Sequence, residues 1–249
     1  MPRNRHNALH QFAAGINAAS TTGHPAAALP IFHPCQQGWK VYYEGLTDGS
    51  VRVDDAYWEI TAITTGTVGA GDENSIVLSA KATTDNSGYM IQRDFADIEL
   101  TSQSKKFYLE TSVMFTHSSG TVAANEWFVG WAADAQVTSS GGTAWSGADE
   151  IIGFGHLDGD TQVYWVARED QANQLIGVGA DLTTGVYAKL ACYFDGANYN
   201  IYKNDILVAS QAMTKLNADE PMCFQALFKT GEAKTNTLDI QYALLAVEL

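Results

Sequence analysis

Between Pro34 and Pro221 the chain has no proline at all. Proline lacks a ladder donor and is shut out of central strands, so this absence is what a continuous, sheet-rich body would show. Acidic residues are missing from the start: none precedes Glu44, although 28 occur in the chain of 249 residues. Cysteine is scarce, and the three present (Cys35, Cys192, Cys223) are odd in number and lack metal-ligand spacing. That excludes a disulfide framework and predicts free, mostly buried thiols in a chain made in a reducing cytoplasm. No run approaches the ~18 apolar residues of a membrane-spanning helix. The opening MPRNRHNALHQFAAGINAAS has no sustained apolar region, so no secretory signal is expected. A nucleophile elbow, a P-loop and a dinucleotide fingerprint are also missing.

What is present divides at residue 43. Residues 1–43 hold four of the five prolines and four of the six histidines. They read as a docking arm: an Ala-rich stretch, ALHQFAAGINAAS, suited to a short helix, then an extended Pro-rich connector, TTGHPAAALPIFHP. Leu9, Phe12, Ile16, Ile31 and Phe32 are too many apolar groups for a purely solvated tail, and Arg3 and Arg5 add positive charge. These seven residues are the candidate partner-docking set. The arm's histidines have no paired ligand spacing and no carboxylate beside them, so no metal site is expected there.

Residues 44–249 read as strands. In KFYLETSVMF, Phe107, Leu109, Val113 and Phe115 alternate with Tyr108, Glu110, Ser112 and Met114. AKLACYF puts Ala188, Leu190, Cys192 and Phe194 on one face, and LDIQYALLA is expected to put Leu238, Ile240, Tyr242 and Leu244 on one face. This period of two is that of half-buried antiparallel strands. Turn formers recur between the runs, among them Asn86-Ser87-Gly88, Asp158-Gly159 and Asp195-Gly196. Many short strands without a βαβ rhythm predict an all-β, two-sheet antiparallel sandwich or jelly roll. The segment LACYFDGANYNIYKNDILVAS resolves as a meander, with turns at Asp195-Gly196 and at Asn204-Asp205.

That segment resembles the late strands of the concanavalin A-like lectin/glucanase superfamily, including laminin G-type domains. There, a strand ending in Asp-Gly is followed by a hairpin similar to YNIYKNDILV. The likeness extends over about residues 50–249 at the level of fold, through FYLETSVMF, EWFVGWAADA and EIIGFGHLDGDTQVYWV. It implies a concanavalin A-like jelly roll, and by itself no function.

Catalysis by such a fold needs two carboxyls at a defined separation on one strand face. Asp149 and Glu150 are adjacent, hence on opposite faces, and Glu110 stands alone in its strand. Gln162, Tyr164, His156 and Arg168 make no lyase-like grouping, so the chain is expected not to be an enzyme. Asp158 and Asp160 are the calcium candidates, but hard cations want six or more oxygens, and neither metal nor cofactor is expected. Trp127, Trp131 and Trp165 are assigned to the core. Trp145, Tyr193 and Tyr202 are the candidate glycan-stacking residues.

The body's acid surplus argues against nucleic acid as a partner. An acidic, disulfide-free sandwich with an acid-free arm suits a bacteriophage virion, where lectin-like jelly rolls serve as capsid decoration and tail-associated proteins. The expected function is a non-enzymatic capsid decoration (cement) protein, localised to the virion. Its expected partners are the major capsid protein or another virion protein and further copies of itself, with surface glycans as an additional class and no membrane. The rival expectations are a carbohydrate-binding module or a tail-fibre-associated receptor-binding protein, and behind them a polysaccharide hydrolase or lyase.

Overall fold

The structure, a computed structural model, describes residues 39–45, 58–63, 66–70, 75–80, 85–93, 98, 100, 105–117, 125–133, 150–170, 172–180, 182–216 and 220–248. The arm residues Arg3, Arg5, Leu9, Phe12, Ile16, Ile31 and Phe32, together with Cys35 and Trp145, lie outside them.

Fifteen strands are described, with no helix among the described residues. They are β1 Trp39–Gly45, β2 Trp58–Ile63, β3 Gly66–Ala70, β4 Ile76–Ala80, β5 Gly88–Arg93, β6 Phe107–His117, β7 Asn125–Ala132, β8 Ile151–His156, β9 Gln162–Glu169, β10 Ala172–Ala180, β11 Ala188–Phe194, β12 Asn198–Lys203, β13 Ile206–Ala212, β14 Cys223–Thr230 and β15 Asn236–Glu248. The first sheet runs β13-β12-β11-β6-β15-β4-β3, and β1 also pairs with β15. The second runs β10-β9-β8-β7-β14-β5-β2. Every ladder between these strands is antiparallel. The expected two-sheet sandwich is what forms. The division at residue 43 falls inside β1, so the sheet takes in Trp39 to Tyr43, which composition alone assigns to the arm.

Alternation decides which side chains enter the core. Phe107, Leu109, Val113 and Phe115 of β6 and Ala188, Leu190, Cys192 and Phe194 of β11 all point between the sheets. They meet Trp127, Val129 and Trp131 of β7 and Trp165 of β9. The rings interlock: Phe107 and Phe194 have centroids 5.3 Å apart, and Phe154 meets Trp165 edge-on at the same distance. Full burial of such side chains contributes roughly 1.5–3 kcal/mol each, which makes this layer the main stabiliser of the fold. Cys192 and Cys223 are buried, form no disulfide, and stand in different sheets.

β15 departs from simple alternation. Its pairing with β6 shifts between Ile240 and Tyr242, leaving Gln241 as an extra residue. Leu238 and Ile240 face the core, and beyond the bulge Ala243, Leu245 and Val247 do so instead. Tyr242 and Leu244 therefore lie on the outer face, against the expectation of one continuous stripe. One inserted residue reverses every side chain after it.

Candidate functional site

Two sheet surfaces face away from the core. On the first sheet, β1, β15, β6, β11 and β12 turn a tyrosine-rich set outward. One cross-strand row reads Leu207, Tyr202, Ala191, Glu110, Leu244, Tyr43, and the next reads Asn200, Tyr193, Tyr108, Ala246, Val41. Tyr193 and Tyr202, the two described glycan candidates, are thus brought to the same face. Both are half-buried, and burial is the main cause that raises their phenol pKa values above the ordinary one. Tyr43 is more open and stacks on Tyr242 with centroids 6.1 Å apart.

At the centre of this face stands Glu110, which is almost wholly buried. Its carboxylate accepts hydrogen bonds from the Tyr108 hydroxyl and, at 2.6 Å, from the Tyr242 hydroxyl. Burial first, and the neighbouring Glu110 charge second, push both phenols upward, Tyr108 well above the ordinary tyrosine range. Alternation in FYLET places Tyr108 and Glu110 side by side. Tyr242 and Tyr43 could not be placed from sequence, because they depend on the β15 bulge and on the distant β1–β15 pairing.

The outer face of the second sheet is built differently. Its central row is Thr61, Met90, Leu227, Phe128, Gly155, Tyr164, and Met90, Leu227 and Phe128 are buried although they face away from the core. Gly130 and Gly153 are directly paired on β7 and β8. A Cβ on either would lie 2.8 Å from the Phe128 ring and closer still to backbone, so these glycines let two strands and an aromatic ring converge. Two carboxylates stand on the outward positions of these strands. Glu126 is salt-bridged to Lys229 at 2.7 Å, both side chains being 3% exposed. Glu59 lies on β2, three strands from Glu126. β8 turns Ile151, Gly153 and Gly155 outward, none of which can donate or accept a proton.

The calcium candidates are engaged elsewhere. Asp160 accepts from the Tyr164 hydroxyl at 2.6 Å and from the Thr161 amide at 2.7 Å; the Tyr164 bond is the larger cause that lowers its pKa. The same bond raises the Tyr164 phenol to about 12. Asp158 is packed against Gly231, where an added Cβ would lie 2.2 Å from its carboxylate. Among the described residues no three metal-ligating side chains gather.

No family model matches the chain, and no curated protein does at a significant level. Solved structures do. An endo-1,3-beta-glucanase from Streptomyces sioyaensis superposes with a TM-score of 0.59 at 10% identity, over 88% of this chain and 99% of that one. A Bacteroides ovatus mixed-linkage glucan GH16 structure, in complex with a product, gives a TM-score of 0.54 at 11% identity, over 81% and 98%. The potassium-bound carbohydrate recognition domain of Emp46p gives 0.55 at 12% identity, over 81% and 94%. These likenesses are of fold. The chain has an all-β, concanavalin A-like jelly-roll fold.

Proposed function

We infer that the chain is a non-catalytic, lectin-like sandwich that works as a structural part of a larger assembly. The observation that carries this reading is the outer face of the second sheet. Glycoside hydrolysis needs two carboxyls roughly 5–9.5 Å apart. Glu59 lies three strand spacings from Glu126, roughly 14 Å sideways, and is level with Gly130, a further roughly 13 Å along the strands, and Glu126 is salt-bridged to Lys229. The Phe128 ring fills the space over Gly130 and Gly153, 2.8 Å from where a Cβ on either would stand. The assembly proposed is a bacteriophage virion, with the chain as a capsid decoration protein gripping the shell through its acid-free arm. The full chain carrying F12D and F32D is expected to lose attachment to particles. Undiminished attachment would remove the arm from the account. Incubation of the full chain with β-1,3- and mixed-linkage glucans is expected to release no reducing sugar; turnover would reverse the non-catalytic reading.

A second reading is carbohydrate recognition, favoured by the lectin and glucanase likeness and by the gathering of Tyr193 and Tyr202 on one face. Exposed tyrosines stack on sugar rings. Calorimetric titration with polysaccharides would favour this reading if binding is specific and lost in Y193A and Y202A.

A further inference from the structure

On the outer face of the first sheet, Tyr193 of β11, Tyr202 of β12 and Leu207 of β13 follow one another across three neighbouring strands. Tyr202 is paired directly with Leu207, and Tyr193 stands two residues along β11 from Ala191, the other partner of Tyr202. The line covers two strand spacings, roughly 10 Å. Both rings are half-buried, while Leu207 is 49% exposed and is flanked by Ile206 and Val208, which are also open. Aliphatic and tyrosine surface side by side is what protein interfaces bury.

The charge beside these rings is mostly negative. Glu248 lies two residues beyond Ala246, which shares the Tyr193 row. Its carboxylate accepts the Lys106 amide at 3.2 Å, and among the described residues neither the Glu248 nor the Lys106 side chain makes an ion pair. Asp195, two residues after Tyr193, is held by the Ala197 and Asn198 amides and has no cationic partner there either. Burial first, then the charges of Asp195 and Glu248, raise the Tyr193 phenol, so both carboxylates stand close to that ring. Farther up the face, Lys189 is already paired with Asp205, and the buried Glu110 has hydroxyl donors but no cation.

We propose that this face docks a partner protein through an arginine, its guanidinium lying on the Tyr193 ring and paired with Glu248, while an apolar neighbour packs on Tyr202 and Leu207. Charge selects the occupant. A net charge of −14 steers a basic segment towards the chain and turns a second copy away. Arginine fits better than lysine, because its planar, weakly hydrated guanidinium stacks on a ring and grips a carboxylate with two parallel donors. Tyrosine and arginine are also the residues on which interfaces concentrate their binding energy. The inference rests on the assembly reading only in taking the partner to be a protein, and it makes no use of the arm.

Calorimetric titration of the full chain with a capped Leu-Arg-Leu-Arg peptide, up to millimolar concentration, is expected to show saturable binding, and the Leu-Lys-Leu-Lys counterpart is expected to bind more weakly. Y193S and E248Q are each expected to weaken binding about fivefold or more. Y193F, which keeps the ring, and E59Q, which removes the same charge from the other sheet, are expected to change it little. K106Q removes the competing ammonium beside Glu248 and is expected to tighten it. E248Q alters only surface groups, so it reads the site even where Y193S weakens the sheet. The proposal is overturned by an absence of saturable binding, or by a loss in E248Q that E59Q matches. It is equally overturned if a neutral β-1,3-glucan binds through Tyr193 and the peptide does not, a result that would favour carbohydrate recognition. Attachment by the arm is tested separately by F12D and F32D, so either account can fail while the other stands.

Discussion

Lys229 and Glu126 face one another directly across β14 and β7, with Lys229 Nζ 2.7 Å from Glu126 Oε2 and both side chains 3% exposed. Two charges taken out of water recover their desolvation cost only while each has the other. K229M is therefore expected to destabilise by about 3–5 kcal/mol, because it strands a buried carboxylate. The double variant E126L/K229M is expected to be far closer to wild type. Urea unfolding of the three proteins checks this; additive losses in the double variant would show that the pair is not the operative unit.

The Glu110 carboxylate and its two tyrosines form the other buried polar device. E110A is expected to cost about 2–3 kcal/mol, since it leaves the Tyr108 and Tyr242 hydroxyls without their acceptor. Both phenols have folded pKa values raised above that of the unfolded chain. Their contribution is full below about pH 10 and is lost as pH rises beyond it. Stability measured from pH 9 upward should fall more steeply in the wild type than in Y108F/Y242F.

The Gly130–Gly153 crossing predicts the effect of a single methyl group. In G130A the new Cβ would lie 2.2 Å from the Ile152 carbonyl and 2.6 Å from the Gly153 Cα, both backbone atoms that cannot swing away. The expected loss is about 3 kcal/mol or more, above the usual range for overpacking because no rotamer relieves it. Thermal melting of G130A and G153A would show whether β7 and β8 can separate enough to admit a side chain.

At the β12–β13 turn, Asn204 and Asp205 both have positive φ, 50° and 67°. Asn204 also accepts the Lys189 amide at 2.9 Å through its side chain. N204A removes that bond and puts alanine in a left-handed conformation, for an expected loss of about 1–2 kcal/mol; N204G should recover part of it.

Asp195 gives a prediction in acid. Its partial burial raises the carboxyl pKa, but hydrogen bonds from the Asn198 and Ala197 amides and from Asn200 outweigh that and leave it lowered. Its stabilisation is present above about pH 4 and is lost as pH falls through the lowered folded value. D195N should therefore flatten the decline in melting temperature below pH 4.

This turn and its neighbour also show where sequence sufficed. The meander of β11, β12 and β13 could be read from sequence, because Asp195-Gly196 and Asn204-Asp205 are local signals and the apolar alternation is unbroken through β11 and β12. The tryptophan assignments at positions 127, 131 and 165 held for the same reason. The β15 stripe did not, because a bulge is set by pairing with β6 and leaves no mark in composition. Nor did the Tyr43–Tyr242–Glu110 contact, which joins residues from opposite ends of the sequence. The Glu126–Lys229 pair was likewise hidden, since register between β7 and β14 spans about a hundred residues of chain.

β15 lies between β6 on one side and β4 and β1, end to end, on the other. It follows every other strand in chain order, yet without it the first sheet falls into three pieces: β1, the β3–β4 pair, and β6 with β11, β12 and β13. During synthesis, β1, β4 and β6 must each wait with one edge unsealed until residues 236–248 have left the ribosome. A nascent chain arrested before residue 236 is expected to show no exchange protection at the β4 and β6 amides that bond to β15. The first sheet then closes in a single late step, and the vulnerable interval in this protein's life precedes its last strand.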